Sequence, residues 1–197
     1  MIFRLRMLAV GLILGTLMLA MPSTQSRAIA DEKADAKLEL LMRAWIGTWA
    51  GVLEIHDTDK VKLNVPMQLE IAPIPAESAW SWKLTYGMGE KKQVRDYRLK
   101  RTADGELVID EQNGILLRVD RFGPQLITEF EIAGSCIQTR YRLTDAGIRF
   151  ELTSTERAKP LTSGPEKGPK VESFRVVGYQ SAMLQKIRPK AKPTPKP

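Results

Sequence analysis

Few side chains in this 197-residue sequence are equipped for chemistry. His56 is the single histidine and Cys136 the single cysteine, so neither a disulfide framework nor a cysteine-rich zinc site is available within the chain. His56 precedes Asp57 and Asp59, residue types that suit a metal or acid–base cluster. The spacing matches no ligand loop, however, and Asp-Thr-Asp is an ordinary turn composition. No nucleophile elbow accompanies the histidine, which leaves a Ser-His-Asp hydrolase without a starting point. The carboxylates Asp96, Asp110 and Glu111 are the remaining acid–base candidates. The charged run from Glu90 to Arg101, which contains Tyr97, reads as a solvated strand face or as a surface for an anionic partner. Neither a catalytic residue nor a metal ligand is assigned. The other notable side chains are apolar: Trp80 and Trp82, two residues apart, suit the wall of a pocket or a core.

Those residues need a scaffold, and the composition points to a globular one, with 43% apolar and 27% charged residues. The net charge of +7 sits at the ends. Of 30 basic residues, three fall in 1–30 and five in 186–197, leaving 22 against 23 acidic residues between. A near-neutral body has no field to attract phosphates, so nucleic acid is not an expected partner.

Residues 1–30 have the order of a secretory signal peptide. A basic start with Arg4 and Arg6 precedes the uncharged run Met7–Met21, and Ala28-Ile29-Ala30 offers a small-x-small cleavage site. Cleavage before Asp31 is expected, leaving 31–197 as an exported protein, periplasmic or secreted. The alternative, a retained anchor, has an apolar run shorter than the ~20 residues needed to cross a bilayer. At the other end, 188–197 holds four prolines among alternating cations, which is read as a disordered basic tail. Such a tail is either a solubilising appendage or a contact for an anionic envelope surface.

Between the ends, the hydrophobic period is helical at first, with Leu38, Leu41, Met42 and Trp45 forming a stripe over 31–46. After Gly47 the period becomes two. Val65, Met67 and Leu69 alternate with polar residues, as do Trp80, Trp82 and Leu84, then Phe130, Tyr141 and Phe150 in later segments. Short turn signals such as Asn113-Gly114 and Asp145-Ala146-Gly147 separate the segments, so neighbours are antiparallel. About ten strands over 47–187 predict an all-β, up-and-down β-barrel behind an N-terminal helix; a two-sheet sandwich is the alternative. Residues 91–101 suggest an edge strand or a bulge, and 158–170 one long Pro- and Gly-rich link.

A helix followed by Gly47-Thr48-Trp49 and a strand meander resembles the calycin superfamily, which includes the lipocalins and fatty-acid-binding proteins. The segment Trp45-Ile46-Gly47-Thr48-Trp49-Ala50-Gly51 is similar to the opening of nitrobindin-like barrels. The resemblance implies that Gly47 and Trp49 plug the closed barrel end beneath a late-strand arginine, for which Arg175 is the best match and Arg149 the alternative. Nitrobindin-like barrels hold haem through a late histidine. This chain has none, so no cofactor is carried over.

Three functions are compatible with this reading. The first is an exported, non-enzymatic barrel binding a small apolar or amphipathic molecule. The second is a filled barrel serving as a structural or interaction module of the envelope, and the third is a carboxylate enzyme. For the first, strand parity places Val65, Met67, Leu69, Trp80, Trp82, Leu84, Phe130 and Tyr141 on the pocket wall. Thr128 and Thr139 would meet a polar group of the ligand, and no charge is expected inside unless Arg175 faces inward.

Overall fold

A computed structural model describes residues 36–188. The signal-peptide reading of 1–30 and the tail from 189 onward lie outside the described residues, as do residues 31–35 of the expected helix.

Residues 36–45 are helical and bury Leu38, Met42 and Trp45 while Leu40 is exposed. A helix this short is marginal by itself in water. Its apolar stripe, packed into the barrel core, supplies the stability. It ends where Ile46 N–H donates to the Met42 carbonyl (3.0 Å) and Gly47 takes φ +140°.

Eleven strands follow: β1 (Gly47–His56), β2 (Val61–Ile74), β3 (Ala79–Tyr86), β4 (Gln93–Arg101), β5 (Leu107–Asp110), β6 (Leu116–Arg118), β7 (Asp120–Phe122), β8 (Gln125–Ile132), β9 (Ser135–Thr144), β10 (Gly147–Ser163) and β11 (Val171–Lys186). All pairings are antiparallel, in the order β6-β5-β4-β3-β2-β1-β11-β10-β9-β8-β7. The two ends of that order, β6 and β7, are joined through Val119 alone. One stretch, 116–122, therefore pairs first with β5 and then with β8, and Val119 N–H donates to the Leu107 carbonyl (2.8 Å) at the crossover. This nearly closes the sheet into an up-and-down barrel; counted as one strand, 116–122 brings the total to ten.

Two sequence readings are refined. Segment 91–101 holds no bulge, since β4 pairs in regular register with β3 over 93–100, and it is an edge in part, because β5 covers only Arg98–Arg101 and leaves 93–97 paired on one side. Its charges are tolerated because alternate residues, Arg98 and Lys100 among them, face outward. They pair there with Glu77 and with Asp110 (2.6 Å). The long link of 158–170 is in fact shorter, since β10 continues to Ser163 and pairs again with β11 after a register shift between Glu156 and Leu161. Only 164–170 connects the two. Its prolines and glycines mark the tip of a long hairpin that the sequence presents as a loop.

The apolar face is divided along the barrel axis. At the end where the β2–β3 and β9–β10 turns lie, Trp45, Trp49, Leu69, Ile71, Ile148 and Leu184 are all at most 5% exposed and form a solid floor. Toward the opposite end the walls separate around a cavity.

Candidate functional site

The cavity has a volume of about 1390 Å³ and opens at the end away from the floor. At its base Trp82, Tyr141 and Phe150 form an aromatic chain. Trp82 meets Tyr141 edge-on at 5.1 Å, Tyr141 lies 4.9 Å from Phe150, and Trp82 also stacks 6.0 Å from Trp45 of the helix. The helix is thereby coupled to the cavity base by direct ring contact, a geometry in which offset and edge-to-face pairs are favourable. Higher up the wall are Leu53, Val65, Leu84, Phe130, Ile137 and Leu152. Several mouth residues are both lining and exposed, including Leu63, Met88, Ile115 and Ile132.

Seven of the ten pocket residues named from sequence line this cavity: Val65, Trp82, Leu84, Thr128, Phe130, Thr139 and Tyr141. Met67, Leu69 and Trp80 share their parity but not their depth. They are buried in the core below the cavity, exposed by 2%, 0% and 7%. Alternation fixes which face a side chain takes; height along the axis depends on where the helix fills the barrel, which a period of two does not encode. Thr128 and Thr139 sit opposite each other on β8 and β9 with hydroxyl oxygens 2.6 Å apart. They satisfy one another within the wall, and one hydroxyl proton of the pair is left to offer to a bound group.

No charge is buried among the described residues. Charged side chains reach the cavity only toward its mouth, where Arg95, Lys91 and Glu131 are exposed and Glu111, Tyr86 and Tyr97 half-buried. They come from the 89–91 turn, from β4, from the residue after β5 and from the mouth end of β8. Glu131 is held by Arg157 (2.9 Å), whereas Arg95 donates through Nη1 to Tyr97 Oη (3.3 Å). Of the three carboxylates considered for catalysis, only Glu111 faces the cavity. Asp110 is engaged with Lys100 outside, and that ammonium, with the Gln112 N–H, holds its carboxyl below the usual range. Asp96 shares the outward parity of Arg98.

The barrel-end plug also differs in one member. Trp49 is 5% exposed and its Nε1 donates to the Trp45 carbonyl (2.8 Å). The cation over its ring is Lys186, with Nζ 5.0 Å from the centroid. Arg175 is exposed and pairs with Glu156 far along β11, while Lys186 is the residue opposite Trp49. Arg149 is exposed and bound to Glu151 (3.3 Å). Gly47 leaves the path open for Lys186, since a Cβ there would meet Lys186 Cε at 2.6 Å. Register decides this: the strand is long, and the partner of Trp49 lies at its very end.

His56 is directed away from the cavity. Its Nε2 lies 3.4 Å from Ser181 Oγ and 3.7 Å from Glu54 Oε2, with its ring 5.0 Å from Tyr179. Both contacts use the same nitrogen, so no relay from carboxylate through imidazole to hydroxyl exists here. Asp57 instead caps its own turn through Thr58 N–H (2.9 Å). Cys136 is half-buried, and burial pushes its thiol up from the ordinary value.

The buried phenols give the barrel a pH response. Burial pushes Tyr86 up to about 12, with Arg95 opposing, and raises Tyr141 well above the ordinary phenol range. A phenol whose folded pKa exceeds its unfolded value of about 10 stabilises the fold fully below that value and loses the contribution as pH climbs toward the folded pKa. Urea unfolding should therefore show stability falling from about pH 10 upward, less steeply in Tyr86→Phe. A flat profile over that range, or an unchanged slope in the variant, would contradict the burial assigned to these rings.

Fold and site together define a nearly closed up-and-down β-barrel: a helix in the closed end, a Gly-x-Trp beneath a late-strand cation, and an open cavity in the other half. No protein-family model matches the chain, and no curated protein sequence does. Among solved structures it is similar to the S-type phycobiliprotein lyase CPES from Guillardia theta, at 12% identity and a TM-score of 0.47, over 81% of this chain and 98% of that one. It is also similar to the zebrafish ileal bile acid-binding protein solved with cholic acid, at 13% identity and a TM-score of 0.34, over 73% and 99%.

Proposed function

We propose that the protein is an exported, non-enzymatic carrier that holds a small apolar or amphipathic molecule inside the barrel. The observation that carries this reading is the cavity of about 1390 Å³, open at one end with a mostly apolar wall. Ligand sites are typically about 300–1,000 Å³, so the space suits a sizeable guest, and it weighs against a barrel filled by its own side chains. Export rests on the order of residues 1–30, and the basic tail after 188 suits contact with an anionic envelope surface.

The test is saturable uptake of an environment-sensitive hydrophobic dye, followed by energy transfer from tryptophan. One site is expected. Phe130→Ala, a half-buried wall residue, should weaken binding about tenfold while the far-ultraviolet spectrum stays unchanged. Native mass spectrometry of protein taken from its own host should then show a co-purifying small molecule. Absence of saturable binding, with no adduct in the spectrum, would overturn the carrier reading.

A further inference from the structure

We infer that the outer wall of β9 and β10 is a docking surface for an acidic protein segment, held by Arg140, Arg142 and Arg149. The three guanidinium groups share one face. Arg140 and Arg142 flank the buried Tyr141 on β9, so both point outward, and Arg149 on β10 is the residue directly opposite Arg142. Like charges directly opposite each other in an antiparallel pair destabilise the sheet. A single carboxylate serves all three. Glu151, opposite Arg140, lies 3.3 Å from Arg149 and 4.0 Å from Arg140, and it also accepts from Tyr179 Oη (3.1 Å). Arg142 is exposed, with no ion pair or hydrogen bond from its side chain among the described residues, and Arg140 Nε has no acceptor.

Elsewhere the outward charges compensate one another. On the β2–β4 wall Glu70 pairs with Lys83 (3.7 Å), Arg98 with Glu77, and Lys100 with Asp110 (2.6 Å). The cationic surplus on β9 and β10 is therefore local, and carboxylates match guanidinium groups in charge and fork geometry. The flanks indicate a protein as the source of those carboxylates. Exposed Met183 lies beside Arg149, exposed Val52 follows on β1, and exposed Phe122 lies beyond Gln125 on the far side of Arg142. Arginine, methionine and an aromatic ring without lysine is a composition enriched at protein interfaces. A convex barrel wall, by contrast, meets a flat bilayer along a line only. An extended segment fits the spacing, because Arg140 and Arg142 lie about 7 Å apart along β9, the same repeat as acidic residues at alternate positions of an extended chain. The surface is on the side of the barrel, apart from the mouth, so the inference stands with or without a guest.

The probes are a fluorescein-labelled peptide with glutamates at alternate positions, its glutamine counterpart, and phosphatidylglycerol vesicles, each applied to the full-length protein at low ionic strength. Fluorescence anisotropy should show saturable binding of the glutamate peptide, about tenfold or more tighter than the glutamine peptide. Arg142→Gln and Arg149→Gln should each weaken it about tenfold. Lys83→Gln removes the same charge from the β2–β4 wall and should leave the affinity unchanged. Arg142→Gln should also unfold at a midpoint no lower than the parent's, because the change relieves the repulsion with Arg149.

No saturable binding of the glutamate peptide would overturn the proposal. So would equal affinity in the parent, Arg142→Gln and Arg149→Gln, which would place the peptide on the basic C-terminal residues, or an equal loss in Lys83→Gln, which would leave only net charge at work. Vesicle binding that is lost in Arg142→Gln, without peptide binding, would reassign the surface to a membrane and remove the protein partner. A lowered midpoint in Arg142→Gln would make that arginine a structural support and contradict the repulsion on which the inference rests.

Discussion

Trp49→Ala should lower the stability of the protein by about 3–5 kcal/mol, the usual cost of truncating a large aromatic in a packed core. Trp49 is 5% exposed, and its indole nitrogen ties the first strand to the helix through the Trp45 carbonyl. Truncation therefore removes core volume and leaves that carbonyl without its donor, a further cost already within the range given. The neighbours supply the scale. Lys186→Ala removes a cation lying 5.0 Å over the ring at an exposed strand end, and should cost about 0.5–1 kcal/mol. Arg175→Ala should stay within about 0.5 kcal/mol, because the side chain is exposed. Urea midpoints at constant m-value order the three. If Arg175→Ala proved costlier than Lys186→Ala, the register that places Lys186 opposite Trp49 would be wrong.

The second large effect is expected at Gly147, where backbone comes close to backbone. The residue is buried at the start of β10 with φ +134°, and an added Cβ would collide with the Leu184 carbonyl oxygen of β11. Gly147→Ala thus combines a backbone conformation that side chains rarely adopt with a clash that no rotamer can relieve. Strain of about 1–3 kcal/mol from each source gives an expected loss of about 2–6 kcal/mol. Gly134→Ala separates the two contributions. Gly134 has φ +79° in the β8–β9 turn, but nothing lies within 4 Å of the added Cβ. Its cost should be about 1 kcal/mol. Thermal or urea unfolding showing equal losses at both positions would mean that the β10–β11 approach is not close-packed.

Both sites illustrate how much could be read in one dimension. The Gly47-Thr48-Trp49 triplet marked the plug, and the switch from helical spacing through Leu38, Met42 and Trp45 to alternation after Gly47 marked the change from helix to sheet. Short turns enforced antiparallel neighbours, and ten alternating segments with one apolar face left a barrel as the arrangement that hides that face. These are local properties: the period of hydrophobic residues and the chemistry of turns are fixed within a few residues of each other. The facing of Val65, Trp82, Thr128 and Tyr141 followed from them.

What depends on position along the axis did not. Whether Met67, Leu69 and Trp80 meet a cavity or a floor is set by how deeply residues 36–45 fill the closed end, a contact between segments far apart in sequence. The cation over Trp49 is chosen by the β1–β11 register, and Arg175 and Lys186 are eleven positions apart on that strand. Arg95 and Glu111 were hidden for a related reason. In a half-buried strand, a charge normally signals the solvent face, and it takes the cavity face here because the barrel is open at that height, where Arg95 stays exposed and Glu111 half-buried. Sequence by itself determined the elements, their order and the face each residue takes. Tertiary structure alone decided depth, register across the long hairpin and the polarity of the cavity, because those follow from how distant segments fill a shared volume.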